Sequence, residues 1–179
     1  MVKPKILVVD DFYEKPLDHH LNILNKKEFD TQELVSKVSE ILNQKVNVFA
    51  KFQESVKDEQ KFNVNCNLKS DWIAVVYLTL PTICIGKQGL KFYIHKSTKL
   101  EEYPNNYFCE INGIKSIEDI ICSFNVYDFN AWTEYSNVFL KYNRMVLFRS
   151  DLWHSYGSGF GDNLNNSLIY QKVLLKNEY

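Results

Sequence analysis

The stretch DWIAVVYLTL, residues 71–80, constrains the fold of this chain most strongly. Its apolar residues run on almost without interruption, the pattern of a central strand covered on both faces. RMVLF (144–148) is a second buried run of this kind. Around them, VNVFAKFQ (46–53), GLKFYIHKS (89–97), SNVFLKY (136–142) and NSLIYQKVLL (166–175) alternate apolar and polar residues, as half-buried strands do. KILVVDDFY (5–13) begins the series as a short buried strand ending in acidic turn residues. Short strands separated by turn signals, after an N-terminal helical portion, predict a mainly β fold of jelly-roll or related double-sheet type.

Two helices interrupt the strands. DTQELVSKVSEILNQ (30–44) has Asp30 or Thr31 to cap it, Glu33 in its first turn, and Leu34, Val35, Val38, Ile41 and Leu42 on one apolar face. SIEDIICSF (116–124) has Ser116 and Asp119 at capping-box spacing. The 179 residues, 45% of them hydrophobic, suit one domain spanning 1–179: a jelly-roll core from about 46 onward, with the strand and helix of 1–45 packed against it. Aromatic content of 15% agrees with a β-rich fold.

A formal net charge of −1 leaves no basic field for nucleic acid. No apolar stretch approaches membrane-spanning length, and the run after MVKPK is too short for a signal peptide. Cys66, Cys84, Cys109 and Cys122 have no zinc-like spacing and read as reduced residues of a cytoplasmic protein. No phosphate-cradling glycine motif or serine nucleophile elbow is present; GSGFG (157–161) reads as turn chemistry.

Four blocks, in order, resemble the 2-oxoglutarate/Fe(II)-dependent oxygenase superfamily, particularly its small prolyl-hydroxylase-like members of bacteria and phages. They are ILVVDDFYEKP, WIAVVYLTLP, GKQGLKFYIHKST and KYNRMVLFRSDLWHSYGSGFG. The resemblance implies a double-stranded β-helix, cupin-like, whose open mouth holds the metal. It also implies Fe(II) and 2-oxoglutarate as cofactors, and a small molecule or a peptide side chain as substrate in the barrel cavity. Two histidines and one carboxylate on one face of iron leave positions for the co-substrate and O₂.

In that family the first histidine and the carboxylate form an H-x-D/E pair before the W-A-x-x-Y-L strand. Here the best match is Asn63-Val64-Asn65, which puts amides at both ligand positions. The distal histidine corresponds to His154, read either as a metal ligand or as a turn histidine bonded to backbone. The carboxylate anchor of the co-substrate is an arginine or lysine after the distal histidine. No arginine follows His154; Ser167 stands near the expected place, and Lys172 lies further along. Other candidates for the co-substrate are Tyr77, Lys91 and Arg149, each with a plain alternative as core aromatic, strand residue or solvated strand end. His95 reads as a strand histidine, and His19 and His20 as surface residues of a helix.

Three functional readings follow. The first is an Fe(II)/2-oxoglutarate-dependent dioxygenase acting as a hydroxylase. The second is a non-catalytic relative with a degenerate metal site, serving as a binding or interaction module. The third is a cupin-like isomerase or sugar-binding protein. Oligomeric state is open in all three.

Overall fold

The computed structural model describes residues 4–56, 62–84, 89–156 and 159–178. Among the described residues, eight strands form two antiparallel sheets. The larger contains β1 (Ile6–Val9), β2 (Val46–Val56), β3 (Trp72–Tyr77), β6 (Arg144–Arg149) and β8 (Leu168–Asn177), in the order β1-β6-β3-β8-β2. The smaller contains β4 (Leu90–His95), β5 (Trp132–Val138) and β7 (His154–Ser155), in the order β5-β4-β7. This is the expected double-stranded β-helix. β1 belongs to it as an edge strand, with Ile6 opposite Phe148 and Val9 opposite Met145.

The apolar runs sit where cover is complete. β3 lies between β6 and β8 and is buried at every position. Ile73, Val75 and Tyr77 enter the core between the sheets, with Phe92 of β4 and Phe148 of β6. Trp72, Ala74 and Val76 face the opposite way, into a second core. That second core is covered by α1 (Pro16–Leu24) and α2 (Gln32–Leu42). A third core, with Tyr93, Trp132 and Trp153, lies on the outer face of the small sheet. Ile120 and Phe124 of α5 (Ile117–Phe124) and Phe108 of α4 (Asn106–Ile111) cover it. A short α3 (Pro81–Cys84) follows β3.

Local chemistry explains the helix ends. The Ser116 side chain accepts from the Asp119 N–H while the Asp119 carboxylate accepts from the Ser116 N–H, completing the expected capping box. At α2 the Asp30 carboxylate accepts from Gln32 N–H at 2.9 Å, whereas Thr31 makes no side-chain cap. Leu34 and Val38 are fully buried, but Ile41 is exposed. His20 corrects the surface expectation. It shares with Ile23 the buried face of α1, and its ring Nδ1 lies 2.8 Å from the Leu78 carbonyl. Among the described residues no helix is long and apolar enough to cross a membrane.

Candidate functional site

β7 is only two residues long, yet it is held on both edges. Phe92 of β4 pairs with His154 on one side. On the other, His154 N–H donates to the Asn65 carbonyl (2.9 Å) and Asn65 N–H to the His154 carbonyl (2.7 Å). Alternation sends Trp153 to the outer core and the His154 ring inward, where it meets Phe148 (4.8 Å between centroids) and Tyr156 (5.4 Å) edge-on. His154 Nδ1 is 2.8 Å from the Leu152 carbonyl. A carbonyl only accepts, so Nδ1 carries the proton and Nε2 the lone pair. Burial, aided by the positive charge of Lys172, lowers the pKa to about 4, although the bond to Leu152 works against the shift. The imidazole is neutral at physiological pH.

His154 lines a cavity of about 280 Å³ together with Asn65, Cys66, Asn67, Tyr156 and Lys172. Lys172 comes from β8, whose alternate residues Leu168, Tyr170 and Leu174 all belong to the core between the sheets. A lysine in that row places a cation at the mouth of the jelly roll. Its ammonium lies 4.8 Å from the Phe52 ring centre and 5.0 Å from that of Tyr156. Burial pushes the Cys66 thiol up to about 12, so it stays protonated. The Asn67 carbonyl oxygen accepts from Lys69 N–H (2.8 Å) and from the Ser70 hydroxyl (3.3 Å), an Asx turn leading into β3.

The other candidates separate from this cavity. Asn63 lines a second one, of about 160 Å³, against Ile120 and Ile121 of α5. Its neighbour Val64 is drawn into the outer core and donates its N–H to the Val126 carbonyl (3.0 Å). The segment meets β7 at Asn65, so the two-residue spacing expected of Asn63 and Asn65 falls on Asn65 and Asn67. Tyr77 is buried in the inter-sheet core, in ring contact with Tyr170, which stacks on Tyr156 of the site. With Phe92 inward, Lys91 faces outward and pairs with Glu134 of β5 at 3.0 Å. Arg149 also lies apart from this cavity. It bonds the Asp151 carboxylate, lies 3.6 Å from Glu102, and lines a different cavity with Asp71 and Trp72. His95 sits in the outer core, tilted against Trp132 with ring centres 5.0 Å apart, and with Nδ1 2.9 Å from the Thr98 hydroxyl. Of the GSGFG turn, residues 157–158 lie outside the described structure, as do 85–88 of the GKQGLKFYIHKST block. Lys172, noted in the sequence only as lying beyond the expected anchor position, is the cation at the cavity, and its place between Tyr170 and Leu174 at period two was the signal.

The fold is similar to that of solved structures. HygX from Streptomyces hygroscopicus, in its crystal structure with nickel, 2-oxoglutarate and hygromycin B bound, aligns over 98% of this chain and 84% of its own, with 12% identity and a TM-score of 0.54. SnoN, described as a non-heme alpha ketoglutarate dependent epimerase from nogalamycin biosynthesis, aligns over 96% and 76%, with 10% identity and a TM-score of 0.58. The chain has the jelly-roll fold of the Fe(II)/2-oxoglutarate enzymes. No protein-family model and no curated protein sequence matches it.

Among the described residues, the donor set of this cavity does not fit iron. A facial site needs two imidazoles and a carboxylate. The cavity offers one imidazole, two amides, a protonated thiol and a cation. Among the described residues, no three His, Cys, Asp or Glu side chains come together as a metal site.

Proposed function

We propose that this protein is a binding module on an oxygenase-type jelly roll, which takes a small carboxylate into the His154 cavity without iron chemistry. The observation that carries the reading is Lys172. A cation on the inner face of β8, beside a neutral histidine, favours an anion and opposes a divalent metal. The cavity, about 280 Å³, is at the lower end of the roughly 300–1,000 Å³ range of drug-sized pockets, and so suits a compact ligand. Titration calorimetry with 2-oxoglutarate and succinate tests it. Binding should survive chelator treatment and disappear in Lys172→Met.

A second reading, an Fe(II)/2-oxoglutarate-dependent hydroxylase, draws on one observation. The bond from Nδ1 to Leu152 leaves Nε2 with its lone pair, the tautomer a metal ligand requires. Fe(II) supplied anaerobically decides between the two. Stoichiometric iron bound through His154, followed on admission of O₂ by conversion of 2-oxoglutarate to succinate and CO₂, with one oxygen atom entering succinate and the other the hydroxylated substrate, would replace the binding-module reading.

A further inference from the structure

Resting on the metal-free reading above, the geometry points to a ligand class more specific than small carboxylates. We infer that the His154 cavity selects 2-hydroxy acids over the corresponding 2-oxo acids. The two nitrogens of His154 have fixed and different roles. Nδ1–H is committed to the Leu152 carbonyl, and Nε2 is the nitrogen left to meet a ligand, as an acceptor only. The ring cannot turn over to offer Nδ1–H without giving up that bond. It is also confined by edge contacts to Phe148 and Tyr156 on two sides.

Lys172 supplies the charge for a carboxylate in the same cavity, and Tyr156 ties the two groups together. Its ring centre is 5.4 Å from the His154 ring and 5.0 Å from the Lys172 ammonium. A ligand with its carboxylate toward Lys172 and its second carbon toward His154 therefore presents its 2-substituent to a lone pair. A 2-oxo group brings another lone pair, and two acceptors face each other with nothing to bridge them. A 2-hydroxyl brings a proton and donates to Nε2. The carboxylates and carbon skeleton are otherwise matched, so the difference between the two acids isolates this one contact. The Asn67 side-chain oxygen is taken by Lys69 N–H and the Ser70 hydroxyl, so its amide has N–H groups to offer; a 2-oxo or a 2-hydroxyl oxygen can accept from these alike, and only the hydroxyl also donates to Nε2.

The test is calorimetry on chelator-treated protein with three kinds of ligand of one chain length: 2-hydroxyglutarate as each separate enantiomer, 2-oxoglutarate and glutarate. One enantiomer of the hydroxy acid should bind about tenfold more tightly than 2-oxoglutarate, the worth of one hydrogen bond made where the alternative leaves an acceptor unpaired. His154→Phe, which keeps a ring but removes the acceptor, should abolish that gap. Lys172→Leu should weaken all three ligands by a common factor. Equal affinities, or tighter 2-oxoglutarate, would overturn the inference and leave the binding-module reading intact. Failure of all three to bind would overturn the reading itself. Should His154→Phe not fold, the wild-type comparison alone still decides.

Discussion

Acid should destabilise this protein through His154, in a window that its burial defines. The folded imidazole has a pKa lowered from 6.5 to about 4. Above pH 6.5 it is neutral in both folded and unfolded chains and contributes no pH dependence. Below 6.5 the unfolded chain takes up a proton that the folded chain refuses until about pH 4, so stability falls as pH drops through this interval. The shift corresponds to about 3 kcal/mol when fully developed, a large part of the 5–15 kcal/mol that ordinarily holds a domain together. Urea unfolding midpoints of the wild type and His154→Phe, measured from pH 7 down to pH 4, separate this contribution from the rest. His19 and His95, whose pKa values are also lowered by burial, are common to both proteins and cancel. Asp10, held at about 2 chiefly by Arg144, loses its contribution only as pH falls below its ordinary 3.8, outside the window. The wild type should lose about 3 kcal/mol more than the variant between pH 6.5 and 4. Parallel curves would show that His154 is not buried in the neutral form, and the account of its environment would fail.

Other outcomes follow from the same geometry. Asn65→His combined with Asn67→Asp should create a nickel-dependent rise in melting temperature of roughly 5–10 °C at a hundredfold excess over Kd, seen by differential scanning fluorimetry. Asn63→His with Asn65→Asp should give none, because Asn63 lines a different cavity from His154. Gly161→Ala should destabilise by more than about 1 kcal/mol in urea, since φ there is +79° and a Cβ would lie 2.2 Å from the Asn166 carbonyl oxygen. Ser116→Ala should cost about 0.5–2 kcal/mol by the same assay, through loss of the α5 cap.

Strands and core were legible because burial writes itself into periodicity. DWIAVVYLTL showed no alternation because β3 is covered by helices on one face and by the small sheet on the other. β5 was less so. It begins at Trp132, earlier than SNVFLKY suggests, and its residues Thr133, Glu134 and Tyr135 are exposed, which removes the hydrophobic signal. Within the site, His154 stood out through its strand-turn setting. The amide register did not, because Asn63-Val64-Asn65 and Asn65-Cys66-Asn67 are indistinguishable by spacing and only the pairing with β7 separates them. The positions of Lys91 and Arg149 were not legible for a related reason: a charge on a strand says nothing of which face it occupies until a neighbour's burial sets the phase. Lys172 had such neighbours in Tyr170 and Leu174.

The way Asn65 is attached to β7 bears on how such a site changes over generations. What ties Asn65 to His154 is main chain alone: one N–H and one C=O on each residue. Every amino acid except proline carries both groups, so the side chain at 65 is free to vary while the backbone beside the histidine stays in register. A catalytic constellation built on such a frame can lose its chemistry by single substitutions without losing its shape, and can regain it by the same route. The frame is therefore a poor witness to activity, which only the side chains it carries can supply.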